Sequence, residues 1–416
     1  APCAQPAAIF DAVNLLTPAR IETQAALWDE ALAAFGPDIA AVHVKDAVVK
    51  DGALAPALLG EGVMCYDNIM RWLAQHNTMR AERTVLRAVV YRGGKRKMEY
   101  CIGIDLGGTN IAGGVATLDG RLVHTQSVKT GMPCTPDEIA DRIAALCRSL
   151  AQAAQTPLEQ MAWIGVGAPG SVDKDTGVVE YANNLEFYNV PLGAMLRTRL
   201  GLPVYVDNDA NAAAWGEYRA GVGRGCSSMV MVTLGTGVGG GIIEDSRIVT
   251  GCNWAAGELG HFVIDMNGEP CNCGLRGCFE QYGSVTALIA QTRAAMRAAP
   301  DILLWEQAGG SEQLVNGRTA FDAMRRGDAS AKAVVDGYVH YLCVGITSIV
   351  NIFQPEVLCV GGGISREGEA VMAPVRAYVG KYGYARGSAK QPRIVAASLA
   401  GDAGIIGAAL LGTEKK

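Results

Sequence analysis

The sequence lacks an excess of basic charge, a long uninterrupted apolar run and a general density of cysteine. Its 36 Lys and Arg against 41 Asp and Glu give a net charge of −5, so no overall basic field favours nucleic acid or a membrane surface. The longest apolar stretch, around 341–353, is too short and too interrupted to predict a membrane span. The first residues, Ala-Pro-Cys, show neither a basic segment nor an apolar core, so we expect no signal peptide.

Most of the 12 cysteines stand singly in apolar surroundings. That pattern is typical of small buried side chains in a reducing compartment and argues against a disulfide framework. The cysteines that we expect to be small buried side chains are Cys101, Cys147, Cys226, Cys343 and Cys359. We therefore expect a cytoplasmic protein.

What the sequence does contain is apolar residues and glycine. The length of 416 residues predicts about two to three domains. Hydrophobic residues make up 50% and charged residues 19%, which excludes a disordered or fibrous chain. Glycine, at 52 residues, is nearly twice its ordinary share, so its placement needs an explanation.

The first ninety residues have β/α patterning. Apolar periodicity predicts a helix over 22–36, a buried strand over 39–44, a second helix over 67–76 and a further strand over 84–90. The polar, basic junction 91–98 separates this segment from the remainder. We hypothesise that two neighbouring genes have been read as one chain, with Met98 the former initiator of the second.

Residues 1–90 resemble the C-terminal part of the xylose-isomerase-like sugar isomerases and epimerases, TIM barrels that use a divalent metal. The resemblance rests on Asp11, Asn14, the strand-end His43 and the "LGEG" loop at 59–62. It covers only about three of the eight strands that a barrel needs to close. We expect a non-catalytic remnant; a bifunctional isomerase–kinase is an alternative, and a metal-dependent isomerase assay on the whole chain tests it.

Beyond Met98 the glycines are organised in three clusters, each after a predicted strand. The strands are 100–104, 228–234 and 357–360, and the clusters are 107–108, 235–241 and 361–363. Glycines at such turns let backbone N–H groups approach an anion, and the preceding Asp105 can hold a hydrated Mg²⁺. Neither a Walker A motif nor a Rossmann glycine motif fits. The arrangement looks like the duplicated actin-like (ribonuclease-H-like) ATPase fold, an α/β fold in which two lobes clamp ATP.

Between the first two clusters, a predicted strand ends in four polar residues that begin an alanine-rich helix. They are Asp207, Asn208, Asp209 and Asn211. One N-cap needs only one such residue, so the surplus favours chemistry. Phosphoryl transfer to an alcohol needs in-line positioning and a carboxylate that accepts the hydroxyl proton. The nearby Asn183 and Asn184 suit either a sugar contact or a simple turn.

A second polar cluster has metal-ligand spacing. One His and three Cys form a complete tetrahedral N/S set, which structural Zn²⁺ prefers because no position remains for an activated water. The four are His261, Cys271, Cys273 and Cys278. Such a zinc knuckle would also fix the directions of Glu258 and Glu280, a carboxylate pair suited to sugar hydroxyls.

Together these segments carry a close resemblance to the ROK family of sugar kinases and repressors over 99–412. The segments "DLGGTN", "GAPG", "NDANAAAWGE", "LGTGVGGG", "GELGH", "CNCGLRGCFE" and "VGGGIS" occur in family order. The resemblance implies an N-terminal kinase lobe over 99–220 and a C-terminal lobe with the zinc knuckle over 221–416. It implies an ATP-dependent kinase that phosphorylates the 6-hydroxyl of a hexose, glucose by default.

Carried over residue by residue, the resemblance implies that Asp209 is the catalytic base. The implied hexose contacts are Asn184, Asn208, Glu258, His261 and Glu280. The implied phosphate and Mg²⁺ contacts are Asp105, Gly107, Gly108, Thr109, Thr236 and Gly237, with Gly361, Gly362 and Gly363 at the adenosine. Asn183 stands where many family members have Pro, which leaves the preferred epimer open.

The alternatives left open are a sugar-sensing ROK repressor and a kinase for allose, mannose, fructose or an N-acetylhexosamine. Repressors of the family carry an N-terminal winged helix-turn-helix, whereas residues 1–97 show no basic recognition helix. We expect no nucleic acid or membrane partner. Family members commonly form dimers or tetramers, so a homo-oligomer is the further expectation.

Overall fold

The computed structural model describes residues 8–11, 24–35, 39–43, 46–50, 53–57, 100–300 and 302–414. The chain divides into two compact units, Ala1–Lys97 and Met98–Lys416. Each unit is described by itself.

In the first unit, strand β1 (Ala8–Asp11) pairs in parallel with β2 (Ile39–His43), and helix α1 (Gln24–Phe35) lies between them in sequence. The predicted helix and first strand are thus present. An antiparallel hairpin, β3 (Asp46–Lys50) and β4 (Ala53–Ala57), was not predicted.

Several features expected in this unit lie outside the described residues. They are Asn14, the 59–62 loop, the 67–76 helix, the 84–90 strand and the junction up to Met98. Asp11 and His43 occupy paired backbone positions of β1 and β2. The barrel resemblance therefore stays a prediction.

The second unit contains two five-stranded sheets. The first has the order β12-β8-β5-β6-β7 and comprises β5 (Tyr100–Leu106), β6 (Asn110–Thr117), β7 (Leu122–Lys129), β8 (Ile164–Ala168) and β12 (Val204–Asn208). The second has the order β15-β14-β13-β16-β17 and comprises β13 (Met229–Leu234), β14 (Val238–Glu244), β15 (Arg247–Ile248), β16 (Val357–Gly362) and β17 (Arg393–Ala396). A smaller antiparallel sheet joins β9 (Ser171–Asp173), β10 (Val178–Ala182) and β11 (Phe187–Val190).

The two large sheets have the same topology. In each sheet, the first three strands in sequence are antiparallel neighbours. The fourth strand pairs in parallel with the first on its other side, and the fifth pairs in parallel with the fourth. With the strands of each sheet numbered along the chain, the spatial order is therefore 3-2-1-4-5 in both. This repetition is the duplicated actin-like α/β fold expected from the glycine clusters.

Ten α-helices, besides short 3-10 turns, complete the described part of this unit. They are α2 (Pro136–Ala153), α3 (Leu192–Leu200), α4 (Asp209–Ala220), α5 (Glu280–Gly283), α6 (Val285–Ala298), α7 (Leu303–Gln307), α8 (Thr319–Arg325), α9 (Ala329–Phe353), α10 (Glu369–Tyr382) and α11 (Ala403–Leu410). Helix α2 begins with a capping box in which Thr135 and Glu138 each satisfy the other's backbone N–H, and Pro136 occupies its first turn.

The final helix, α11, packs closely against the first sheet although it follows the second in sequence. A Cβ on Gly103 of β5 would lie 2.0 Å from the Ile405 carbonyl, and one on Gly165 of β8 would lie 1.7 Å from the Ala408 carbonyl. Glycine is therefore required at both positions. Because α11 joins the two halves, the lobe boundary at 220/221 remains a prediction.

Helix α9 is longer than the apolar stretch noted in the sequence. Its 25 residues are long and apolar enough to cross a membrane by length and composition alone. Over half of its most apolar window is buried inside the protein, and Tyr338, Leu342 and Ile346 are fully enclosed. The helix therefore serves as the core of the second half.

Candidate active site

A cleft of about 580 Å³ lies between the two sheets of the second unit. Nine of the residues predicted for ATP or sugar line it: Asp105, Asn184, Asn208, Asp209, Thr236, Gly237, Glu258, Glu280 and Gly362. Six others lie outside its lining: Gly107, Gly108, Thr109, His261, Gly361 and Gly363. Of these, Gly108 lies against Asn184, because a Cβ on it would be 3.3 Å from the Asn184 Cβ.

Asn208 ends strand β12 and caps helix α4. Its Oδ1 accepts hydrogen bonds from the N–H groups of Ala210 at 2.8 Å and Asn211 at 3.1 Å, and its Nδ2 donates to the Gly170 carbonyl at 3.0 Å. The cap satisfies two of the open N–H groups of the helix. Asn208 thus has a structural role at the cleft wall, to which any sugar contact would be added.

Asp209 is the first residue of α4 and faces the cleft. Burial raises the pKa of its carboxyl from 3.8 to about 6, and the negative charges of Asp105 and Glu258 add to the effect. A hydrogen bond from the Ala210 N–H acts in the opposite direction. The carboxylate is therefore a better proton acceptor than an exposed aspartate while remaining mostly ionised at neutral pH.

Asp105 is the penultimate residue of strand β5, just before the first glycine cluster, and its carboxyl also faces the cleft. Burial raises its pKa above the ordinary value. A Cβ on Gly404 would lie 2.8 Å from its Oδ2, so glycine leaves room for the carboxylate. Carboxylate oxygens beside a phosphate site are the donors that Mg²⁺ prefers, and Asp105 fits that requirement.

Asp207 and Asn211 belong to the polar run at the strand end, and the sequence indicates no individual role for either. Asp207 is 3% exposed, and its Oδ1 accepts from the Asn208 N–H at 2.7 Å and from the Asn211 Nδ2 at 2.9 Å. Burial raises its pKa to about 6. These two residues stabilise the turn between β12 and α4, which only the three-dimensional pairing reveals.

Glu280 and the second glycine cluster are in direct contact. The Glu280 Oε2 accepts a hydrogen bond from the Val238 N–H at 2.9 Å. A Cβ on Gly237 would lie 2.3 Å from the same oxygen, so glycine is needed for the carboxylate to approach. The predicted sugar-side acid and the predicted phosphate loop therefore form one wall of the cleft.

The four candidate zinc ligands converge as their spacing predicts. Their ligand atoms all lie within 4.8 Å of one another. The two sulfurs of Cys273 and Cys278 are 3.6 Å apart, and the Cys271 sulfur is 3.6 Å from the His261 Nδ1. Ligands about 2.3 Å from a tetrahedral zinc would be separated by roughly 3.7 Å, so the set fits Zn²⁺.

His261 connects this cluster to the cleft. Its Nδ1 faces Cys271, and its Nε2 lies 3.9 Å from a carboxylate oxygen of Glu258. A ring held through Nδ1 leaves Nε2 free to carry the proton and to hydrogen-bond on the Glu258 side. The geometry thus suits the predicted metal role and places the ring beside Glu258, which lines the cleft; the predicted hexose contact stays a prediction.

Part of the cleft is lined by residues that belong to none of the motifs of the sequence analysis. These lining residues are Trp254, Ala255, Ala256, Ala400, Ala403 and Gly404. Trp254 and Ala400 have left-handed backbone conformations, with φ of 60° and 50°. Small residues and unusual backbone conformations are weak signals in a sequence, so only the fold identifies them.

The duplicated sheets and the acidic cleft between them define a phosphotransferase of the actin-like ATPase class. The ROK family model matches residues 101–415, and the chain belongs to that family. It is 36% identical over 324 residues to a glucokinase of Thermotoga maritima, covering 76% of this chain and 97% of the relative.

Two further comparisons cover kinases and repressors. The structure of a ROK family glucokinase from Streptomyces griseus, in complex with glucose and AMPPNP, has a TM-score of 0.65 and 36% identity, covering 74% of this chain and 98% of that one. A putative xylose repressor of Caldicellulosiruptor is 31% identical over 280 residues, 67% of this chain and 70% of the relative.

Proposed function

We propose that this protein is an ATP-dependent hexose 6-kinase with glucose as its substrate. The observation that carries the proposal is Asp209, a half-buried carboxylate at a helix N-terminus that faces a cleft lined by the second glycine cluster. Glucokinase relatives at 36% identity support it, as does the solved relative that binds glucose and AMPPNP.

In the proposed reaction, the C6 hydroxyl oxygen of the hexose forms a bond to the γ-phosphorus of ATP while the bond from that phosphorus to the β–γ bridging oxygen breaks. ADP is the leaving group, and Asp209 accepts the hydroxyl proton. Asn184, Glu258, His261 and Glu280 orient the sugar. Bound Mg²⁺ would neutralise phosphate charge, and Asp105 is the residue suited to hold it. Closure of the cleft excludes water from the transferring group.

On the nucleotide side, we propose that backbone N–H groups of the first two glycine clusters bind the phosphates. Gly107, Gly108 and Thr109 supply the first loop, and Thr236 and Gly237 the second. Gly361–Gly363 would contact the adenosine. The matching topology of the two sheets supports this assignment. The second glycine cluster lines the cleft, and Gly108 of the first cluster lies against Asn184, which also lines it.

We further propose that His261, Cys271, Cys273 and Cys278 bind one structural Zn²⁺. A hydrogen bond from the Leu275 backbone lowers the pKa of Cys273, whereas burial raises that of Cys278 to about 12. A bound zinc ion deprotonates its thiol ligands directly. By fixing His261, the ion would hold Glu258 and the sugar side of the cleft in place.

The test is a coupled assay of ADP formation across glucose, allose, mannose, fructose and N-acetylhexosamines. The proposal expects the highest kcat/KM with glucose and a hexose 6-phosphate product. A higher kcat/KM with another hexose would support the kinase activity but contradict glucose as the substrate. Absence of hexose-dependent ADP formation would contradict the kinase itself.

The repressor relative provides a second candidate function, a sugar-sensing transcriptional regulator. The intact acidic cleft and first glycine loop favour the kinase. A gel-shift assay with DNA upstream of the gene distinguishes the two. Cytoplasmic location and a dimeric or tetrameric state remain predictions, and light scattering after gel filtration tests the latter.

A further inference from the structure

Glu217 is a buried carboxylate that the proposed mechanism does not use. It lies in α4 with no exposed surface, where an unpaired charge would be strongly unfavourable. Its Oε1 accepts from the Leu399 N–H at 2.6 Å, and its Oε2 accepts from the Val222 N–H at 3.1 Å and the Ser398 hydroxyl at 3.0 Å. Two of these three donors belong to one loop.

That loop, 397–402, follows strand β17 and leads to the cleft wall. Its start is held by a hydrogen bond from the Ala397 N–H to the Val360 carbonyl at 2.9 Å. Ala400 then adopts a left-handed conformation with φ of 50°, which is costly for a residue with a Cβ. Ala400 lines the cleft, as does Gly404 at the start of the helix that follows, so a strained loop forms part of the site.

Helix α4 connects this loop to Asp209. Glu217 is eight residues after Asp209, or about 12 Å along a helix. The space for its carboxylate is reserved, since a Cβ on Gly221 would lie 2.0 Å from its Oε2. One rigid helix thus carries the proposed base at one end and the anchor of a cleft-lining loop near the other.

We infer that Glu217 is a positioning residue that fixes the 397–402 loop for nucleotide binding. This inference rests on the proposed kinase function. The loop begins against the third glycine cluster, which is assigned to the adenosine, because a Cβ on Gly361 would lie 3.7 Å from the Ala397 Cβ. Loosening it should therefore weaken ATP binding selectively.

The test is Glu217→Gln, which keeps the size of the side chain but replaces one acceptor oxygen with an N–H₂ donor. It cannot accept all three hydrogen bonds, so one buried donor loses its partner. We expect the KM for ATP to rise about tenfold, with the hexose KM unchanged and a smaller effect on kcat. Titration with Mg·AMPPNP should show the same loss of affinity.

The matched control is Tyr218→Phe on the same helix. The Tyr218 hydroxyl bonds the Cys226 carbonyl at 2.9 Å and the Ser246 hydroxyl at 2.7 Å, and none of the three residues lines the cleft. This variant loses two half-buried hydrogen bonds, neither of which involves the 397–402 loop. Its KM for ATP should equal that of the unaltered protein, even where its stability falls.

If Glu217→Gln does not fold, Ser398→Ala tests the inference instead. It removes only the hydroxyl donor to the Glu217 Oε2 and keeps the carboxylate, so it is a milder change. We expect a smaller rise in the KM for ATP and the same unchanged hexose KM. The inference is overturned if folded variants retain normal AMPPNP affinity, or if hexose and nucleotide affinities fall equally. Failure of the unaltered protein to phosphorylate any hexose would instead contradict the proposed function. The two failures are distinguishable because the titration with Mg·AMPPNP measures nucleotide affinity without turnover.

Discussion

Replacing Asp209 with Asn should make the protein more stable while removing its activity. Burial raises the pKa of this carboxyl from 3.8 to about 6, a shift of about two units that corresponds to roughly 3 kcal/mol. The lost charge also interacts favourably with the helix N-terminus, by about 0.3–1 kcal/mol. The desolvation effect is larger, so the net gain at pH 8 should be about 2 kcal/mol.

The sign of the pH dependence follows from the raised pKa. Because the folded protein holds this proton more tightly than the unfolded chain, the carboxyl favours folding at low pH, and that contribution is lost as pH rises from about 4 to 6. Urea unfolding of both proteins at pH 8 and pH 4.5 measures the difference. It should be largest at pH 8 and shrink to below about 1 kcal/mol at pH 4.5.

Asp119 supplies the control for this measurement. It is exposed, and a hydrogen bond from Thr117 lowers its pKa, so Asp119→Asn should not stabilise the protein at pH 8. If Asp209→Asn were as stable as the unaltered protein, or less stable, at pH 8, the assignment of Asp209 as a desolvated carboxylate would be refuted.

Three other predictions concern the pH profile, the zinc knuckle and the core. kcat/KM should fall about tenfold from pH 7 to pH 5 because a base with a pKa of about 6 becomes protonated. The same pH profile should be measured for Asp207→Asn; loss of the profile in that variant would show that Asp207, not Asp209, is the titrating group. Cys273→Ser should lose the bound zinc and lower the melting temperature, whereas Cys252→Ser, outside the cluster, should retain one zinc per chain by elemental analysis. Gly165→Ala should lower the free energy of unfolding by about 3 kcal/mol or more because its Cβ would overlap a carbonyl of α11. Gly337→Ala, with open space around its Cβ, should not lower the urea midpoint. A urea midpoint for Gly165→Ala equal to that of the unaltered protein would contradict the packing of α11.

The strand ends and the convergence of the His–Cys cluster were predictable because their signals are local. Short spacing brings Cys271, Cys273 and Cys278 together whatever the surrounding fold, and the polar run at 207–211 combines a strand end with a helix start. The predicted strands of the second unit fall within one or two residues of the observed ones, for example 228–234 against Met229–Leu234.

The glycine excess was only partly explained by the sequence. The three clusters do follow strands, but Gly239–Gly241 lie inside β14, and Gly241 is required because a Cβ there would lie 2.4 Å from the Ala214 Cβ. Gly103 and Gly165 serve the same purpose against α11. The contacts of Gly103 and Gly165 join residues hundreds of positions apart, so no local pattern reveals them.

The most direct test of the kinase assignment compares phosphoryl transfer with hexose binding in Asp209→Ala. ADP formation with and without glucose, and glucose affinity by calorimetry, are measured for this variant and the unaltered protein. The account predicts glucose-dependent ADP formation that is lost in Asp209→Ala by a factor of about a thousand or more, with glucose affinity largely retained. Substantial turnover by Asp209→Ala would contradict it.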